Sequence, residues 1–114
     1  MKKINIVAAF SLVVAVIIGT LFFAKTRLPK NTVIISDYAY LPKKITVKKG
    51  TTITWINRDI AKHTVTADGD LTDGPNSEFF GQNKSYQFRF TKSGVFSYHC
   101  DPHPYMKAVV EVTN

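Results

Sequence analysis

Short stretches of alternating apolar and polar residues, separated by turn-forming residues, dominate the chain from Thr32 onward. In Thr51–Asn57, for example, Ile53 and Trp55 fall on the same face of an extended segment. The pattern predicts seven strands: Thr32–Ser36, Lys43–Lys48, Thr51–Asn57, His63–Ala67, Tyr86–Phe90, Val95–Cys100 and Lys107–Thr113. Since no amphipathic helix separates these segments, the domain is predicted to be an all-β sandwich.

The first 30 residues have a different pattern. The run from Ile4 to Ala24 contains no charged residue, and as a helix it would span about 30 Å, the thickness of the hydrocarbon layer of a membrane. Pro29 ends the short segment that follows it. We therefore expect a hydrophobic N-terminal helix and a linker over residues 1–30, and a β domain over residues 31–114.

Two interpretations of this apolar run stay open. A signal peptide has small residues at positions −1 and −3 of its cleavage site, and cleavage after Ala24 would put Phe22 at −3. The run also exceeds the apolar segment of a signal peptide, which has about 7–15 residues. We favour a membrane anchor formed by residues 4–24, with the domain on the periplasmic or extracellular face. The alternative is a soluble periplasmic domain released by cleavage.

The net charge of +7 belongs mostly to the flanks of the apolar run. Five of the 15 Lys and Arg residues lie at or before Lys30, where there is no Asp or Glu. The domain that follows carries ten basic and eight acidic residues, so its own charge is small. It has no basic stripe interleaved with aromatic residues, and we therefore expect no nucleic-acid partner.

The residues with the most distinctive chemistry lie near the C-terminus. Cys100, His103 and Met106 are spaced three apart, and Cys100 is the only cysteine. A thiolate, an imidazole and a thioether are soft ligands, and a second imidazole would complete the two-His, one-Cys plane with a weak axial Met that characterises electron-transfer copper sites. His63 is the best candidate for that imidazole. His99 is not, because on a strand it points to the face opposite that of Cys100.

The segment from Tyr98 to Met106 resembles the ligand loop of the blue copper proteins, or cupredoxins, and within them the plastocyanin and amicyanin group. Pro102, Pro104 and an aromatic residue at position 105 match the amicyanin loop most closely. The resemblance continues upstream through the segment around Trp55 and covers nearly all of residues 32–114. It implies a cupredoxin-like Greek-key β-sandwich of about seven to eight strands.

The resemblance also implies a function. One copper ion, cycling between Cu(I) and Cu(II), would be held by the metal ligands His63, Cys100, His103 and Met106. The protein would be a mononuclear type 1 copper protein that shuttles single electrons between redox partners outside the cytoplasm, and not an enzyme with a small-molecule substrate. A partner of the cytochrome or membrane-oxidase type would dock near His103. Thr64 would tie the two ligand segments together by a hydrogen bond, and Asp101 departs from the small neutral residue usual after the ligand cysteine.

Other functions remain as alternatives. A copper delivery or storage protein usually has Met- and His-rich tracts, which this sequence lacks. A copper oxidase needs further histidine-rich centres, but the chain has three histidines in total, so that function requires a larger membrane oxidase complex of which the chain is a copper-binding subunit. Zinc could bind the cysteine and two histidines, but a methionine in the fourth position favours copper.

Overall fold

The computed structural model describes residues 27–69 and 72–114. The predicted N-terminal helix, including the anchor over residues 4–24, lies outside these residues. Within the described part, no helix has both the length and the apolar character needed to cross a membrane. The first strand begins at Thr32, directly after the predicted start of the domain.

The described residues form eight strands in two four-stranded sheets, as expected for a β-sandwich of the cupredoxin type. The strands are β1 Thr32–Ser36, β2 Ala39–Leu41, β3 Lys44–Lys48, β4 Thr52–Asn57, β5 Thr66–Ala67, β6 Ser85–Arg89, β7 Gly94–His99 and β8 Lys107–Thr113. One sheet has the order β2-β1-β4-β6 and the other has the order β3-β8-β7-β5. The chain changes sheet at every connection from β2 to β7, so among the described strands only β1 with β2 and β7 with β8 pair as neighbours in sequence.

Strand direction defines two ends of the sandwich. Strands β1 and β4 are parallel neighbours and finish at what we call the upper end, after Ser36 and Asn57. Strand β7 also finishes at the upper end, at His99, and its antiparallel neighbour β8 starts there. The starts of β1, β4 and β7 and the ends of β3, β6 and β8 form the lower end.

The core lies between the two sheets and consists of the inward-facing residue of each alternating pair. Trp55 and Ile53 of β4 are fully buried, as the alternation predicted. The indole N–H of Trp55 donates a hydrogen bond to the hydroxyl of Tyr98 across the sandwich (3.1 Å). Burial raises the pKa of Tyr98 well above its usual range, so the hydroxyl stays protonated in this bond.

Two local predictions were wrong. The segment His63–Ala67 forms a strand only at Thr66–Ala67, and His63 makes an isolated bridge with Phe80 instead. Strand β2 was not predicted, because it depends on a two-residue hairpin at Asp37 and Tyr38 whose φ angles are 53° and 57°. Such a turn usually has Asn, Asp or Gly at the first position and Gly at the second, so Tyr38 in the second position hid the hairpin from sequence analysis.

Candidate metal centre

Three of the four predicted ligands come together at the upper end of the sandwich. The sulfur of Cys100 lies 3.5 Å from Nδ1 of His63 and 3.6 Å from Nδ1 of His103. The three donor atoms all lie within 4.8 Å of one another. His63 and Cys100 are completely buried, whereas His103 is partly exposed.

Cys100, His103 and Met106 are positioned by two consecutive tight turns between β7 and β8. The amide of His103 donates to the carbonyl of Cys100 (3.2 Å), and the amide of Met106 donates to the carbonyl of His103 (2.8 Å). The amide of Cys100 donates to the carbonyl of Met106 (3.2 Å) and closes the loop. The three-residue spacing in the sequence therefore corresponds to one turn between each pair of predicted ligands.

Met106 is the predicted axial ligand, and its side chain is 2% exposed. It belongs to the buried apolar cluster that also contains Cys100. A buried thioether at the base of this loop agrees with the predicted position, and its assignment as a ligand stays a prediction.

His63 reaches the site from the segment that leads into β5, the strand paired with β7. Its backbone pairs with Phe80 in both directions, at 3.3 Å and 3.1 Å. Because Nδ1 faces Cys100, the second ring nitrogen, Nε2, points away from the sulfur and lies 2.8 Å from a carboxylate oxygen of Asp59. An Nε2–H that donates to this carboxylate leaves the Nδ1 lone pair directed at the place a metal would take.

Asp59 has three hydrogen-bond donors around its carboxylate. Besides the ring of His63, the backbone amides of Asp37 (2.8 Å) and Tyr38 (3.0 Å) donate to it. Partial burial acts to raise the pKa of Asp59, but the hydrogen bonds from Tyr38, His63 and Asp37 outweigh burial and lower the pKa. The carboxylate therefore holds both the histidine ring and the β1–β2 hairpin in place.

The hairpin brings an aromatic ring onto the site. The ring of Tyr38 meets those of His63 and His103 edge to face, with centroid distances of 5.2 Å and 4.9 Å. Tyr38 is 43% exposed, so it covers the two histidines from the solvent side. Neither Tyr38 nor Asp59 was found from the sequence. A carboxylate four residues before His63 was the only signal, and it is a weak one in a loop.

Thr64 links the two ligand segments, as the resemblance predicted. Its backbone amide points at the sulfur of Cys100 (3.4 Å), where it stabilises negative charge on a thiolate. Its hydroxyl oxygen accepts a hydrogen bond from the amide of Asp101 (2.9 Å). Its carbonyl accepts a hydrogen bond from the hydroxyl of Tyr40 (2.6 Å). Burial, followed by the charge of Cys100, raises the pKa of Tyr40 far above its usual range, so this donor keeps its proton.

His99 points away from the site, as predicted. Its Nδ1 contacts the carboxylate of Asp68 and its Nε2 contacts that of Asp101 (3.2 Å). The side chain is one-quarter exposed on the outer face of the sheet. Asp101, where a small neutral residue was expected, thus contacts the ring of His99 at the surface.

The donor set fits a copper ion. Two imidazole nitrogens and a thiol sulfur converge in a buried site, and no described carboxylate belongs to the cluster of converging donors. Histidine and cysteine without carboxylate oxygens suit copper or zinc rather than magnesium or calcium. The nearby thioether of Met106 favours copper over zinc.

Comparison with known proteins also identifies a copper-binding protein. A family model described as copper binding proteins of the plastocyanin/azurin family matches residues 29–113. Amicyanin from Paracoccus denitrificans is 35% identical over 80 residues, which cover 68% of this chain and 61% of that protein. Amicyanin-alpha from Methylorubrum extorquens is 29% identical over 112 residues, which cover 92% of this chain and 91% of that relative.

Solved structures agree with the sequence relatives. The Cu(I) form of an amicyanin mutant is similar with a TM-score of 0.68 and 32% identity, over 78% of this chain and 87% of that structure. The predicted resemblance and the copper cofactor are thereby confirmed, as is the prediction of an electron-transfer type of copper protein rather than an enzyme. The chain belongs to the plastocyanin/azurin family of copper-binding proteins.

Proposed function

We propose that this protein is a one-electron carrier with a single type 1 copper ion held by His63, Cys100, His103 and Met106. The observation that carries the proposal is the convergence of one sulfur and two imidazole nitrogens within 4.8 Å in a buried site. Such a set leaves no open position for a substrate once the thioether of Met106 takes the axial place. The bound ion would supply the Cu(I)/Cu(II) couple.

The surrounding residues favour fast electron transfer because they keep the donors in one arrangement. Three backbone hydrogen bonds hold the loop from Cys100 to Met106. Asp59 holds the ring of His63, and Thr64 ties the sulfur to the opposite segment. Ligands fixed in this way move little when the copper changes oxidation state, so the reorganisation energy of electron transfer is small.

His103 is the proposed exit for the electron. It is the one imidazole of the pair with access to solvent, because His63 is fully buried. Tyr105, which is 69% exposed, and the two exposed prolines of the loop surround it with apolar surface. A redox protein of the cytochrome or membrane-oxidase type would dock on this surface, where the copper ligand and the partner come closest.

The location proposed for the carrier follows from the sequence. Residues 4–24 would anchor it in a membrane, and the copper domain, residues 31–114, would lie on the periplasmic or extracellular face. Support comes from the uncharged length of the run, which matches the membrane thickness. Sequencing the N-terminus of the mature protein from membranes tests this location, since cleavage after residue 24 would release a soluble carrier instead.

The copper site is tested with the full-length protein loaded with copper. We expect a strong visible sulfur-to-copper absorption band and a narrow copper hyperfine splitting in the electron paramagnetic resonance spectrum. Both should vanish in Cys100→Ala and His63→Gln. The matched control is His99→Gln, which removes the histidine next to Cys100 but should keep both signals. Retention of the band in Cys100→Ala, or its loss in His99→Gln alone, would contradict the assignment. Release of copper to an acceptor during redox cycling would point to delivery rather than electron transfer.

A further inference from the structure

The end of the sandwich opposite the copper ligands is strongly basic. Four exposed cations lie there, which we call the basic end: Lys30, Lys48, Lys49 and Arg89. Lys30 and Lys48 line the same cleft, and Arg89 donates to the carbonyl of Gly50 in the adjoining turn (3.0 Å). Within residues 27–69 and 72–114, none of the four forms an ion pair.

The other charged groups do not cancel this charge. At the lower end, the ammonium group of Lys92 forms an ion pair with the carboxylate of Asp73 (3.0 Å). The upper end carries both signs of charge: Asp37, Asp59 and Asp101 lie there together with the cations Arg58, Lys62 and Lys107. The domain is therefore close to neutral around the copper site and positive at the opposite end.

The chain enters the domain at the basic end. Residue 30 precedes β1, and the carbonyl of Asn31 accepts a hydrogen bond from Thr54 in the lower half of β4. A linker of seven residues between 24 and 32 reaches at most about 25 Å. If residues 4–24 lie in a membrane, the basic end is the part of the domain that this linker holds next to the lipid surface.

We infer that the basic end docks on the anionic headgroups of the membrane that anchors the chain, with the copper end directed away from it. The inference rests on the proposed anchor and copper site. Clustered Lys and Arg next to a membrane segment attract anionic lipids, and each contributes about fivefold to association. The six-residue strands β4 and β7 then separate the copper ligands from the lipid by roughly a further 20 Å. A partner must accordingly reach His103 from the aqueous side, as a soluble redox protein or an extramembrane domain.

The test uses the full-length copper protein in phosphatidylcholine vesicles with or without phosphatidylglycerol. A polarity-sensitive fluorophore is placed on Ser93→Cys, in the β6–β7 turn at the lower end, and in a second sample on Gln82→Cys at the upper end. The native Cys100 is fully buried and does not compete for the label. We expect phosphatidylglycerol to shift the emission of the label at position 93 and not at position 82. Salt should reverse the shift, because it screens the attraction.

Charge variants identify the residues that cause the shift. The double variant Lys48→Gln, Lys49→Gln should weaken association of the basic end with the anionic surface about 30-fold, because two contributions of about fivefold multiply. The matched control is Lys43→Gln with Lys84→Gln, which removes the same charge from exposed lysines nearer the upper end and should leave the shift intact.

The inference is overturned if phosphatidylglycerol leaves the label at position 93 unchanged, or if the label at position 82 responds equally. A label at position 93 that responds to polyglutamate but not to the anionic vesicles would assign the basic end to an acidic protein instead. Failure of the proposed function is seen separately: the blue band is then absent, or the chain fails to float with neutral vesicles. With the band and flotation intact, a missing shift refutes the docking alone.

Discussion

Replacing Asp59 with asparagine tests whether a carboxylate orients the buried histidine of the site. In the structure this carboxylate accepts hydrogen bonds from Nε2 of His63 (2.8 Å) and from the amides of Asp37 (2.8 Å) and Tyr38 (3.0 Å). Asparagine keeps the volume and one oxygen, but it loses the charge and puts an NH2 group where the second oxygen was. The NH2 group then faces either the amide of Asp37 or the amide of Tyr38 together with the ring of His63, and these donors lose their acceptor.

The expected magnitude follows from which donor loses its acceptor. The two hairpin amides are near solvent and can bond to water, whereas the ring of His63 is fully buried. A buried donor left without a partner costs about 1–3 kcal/mol. We therefore expect Asp59→Asn to lower the free energy of unfolding by about 1–2 kcal/mol and the copper affinity by about 10–100-fold, as for other partners of metal-bound histidines.

Urea unfolding of the copper-free protein measures the first quantity, and competition with a chromophoric Cu(I) chelator measures the second. The control is Asp73→Asn, which removes the same charge from an exposed pair with Lys92 far from the site. If Asp59→Asn and Asp73→Asn bind copper equally well, Asp59 does not orient His63.

Two further substitutions test other contacts. Thr64→Val removes the acceptor of the Asp101 amide, so the free energy of unfolding measured in urea should fall by about 1 kcal/mol. Thr64→Ser keeps the hydroxyl and should restore most of this loss. Partial burial acts to raise the pKa of Asp68, but hydrogen bonds with His99 and Ser97 outweigh it and the pKa is lowered from 3.8. Asp68 therefore stabilises the fold above about pH 4 and loses this contribution as the pH falls further. Below pH 4, the urea concentration at the unfolding midpoint should therefore fall less steeply with pH in Asp68→Asn than in the natural protein. Parallel curves for the two proteins would contradict this.

Much of the sandwich could be predicted because alternation records which face of a strand is buried. Strands β1 and β8 have the predicted bounds, and the alternating residues of β4 point inward as expected. The strand prediction failed at His63, where the backbone pairs with a single residue, Phe80, and no regular ladder forms. It also failed at β2, where the turn depends on a carboxylate more than twenty residues away.

The sequence by itself determined which metal the site suits and put three of the four predicted ligands together, because Cys100, His103 and Met106 lie on one short loop whose turns are local. The structure alone decided how His63 meets them, since that contact joins residues 37 positions apart, which come together where β5 pairs with β7. It also decided the surroundings of the site: the ring of Tyr38 reaches the histidines from a distant hairpin, and Asp59, four residues before His63, ties that hairpin to the histidine ring. Local spacing cannot encode such contacts, because they exist only after the two sheets have packed.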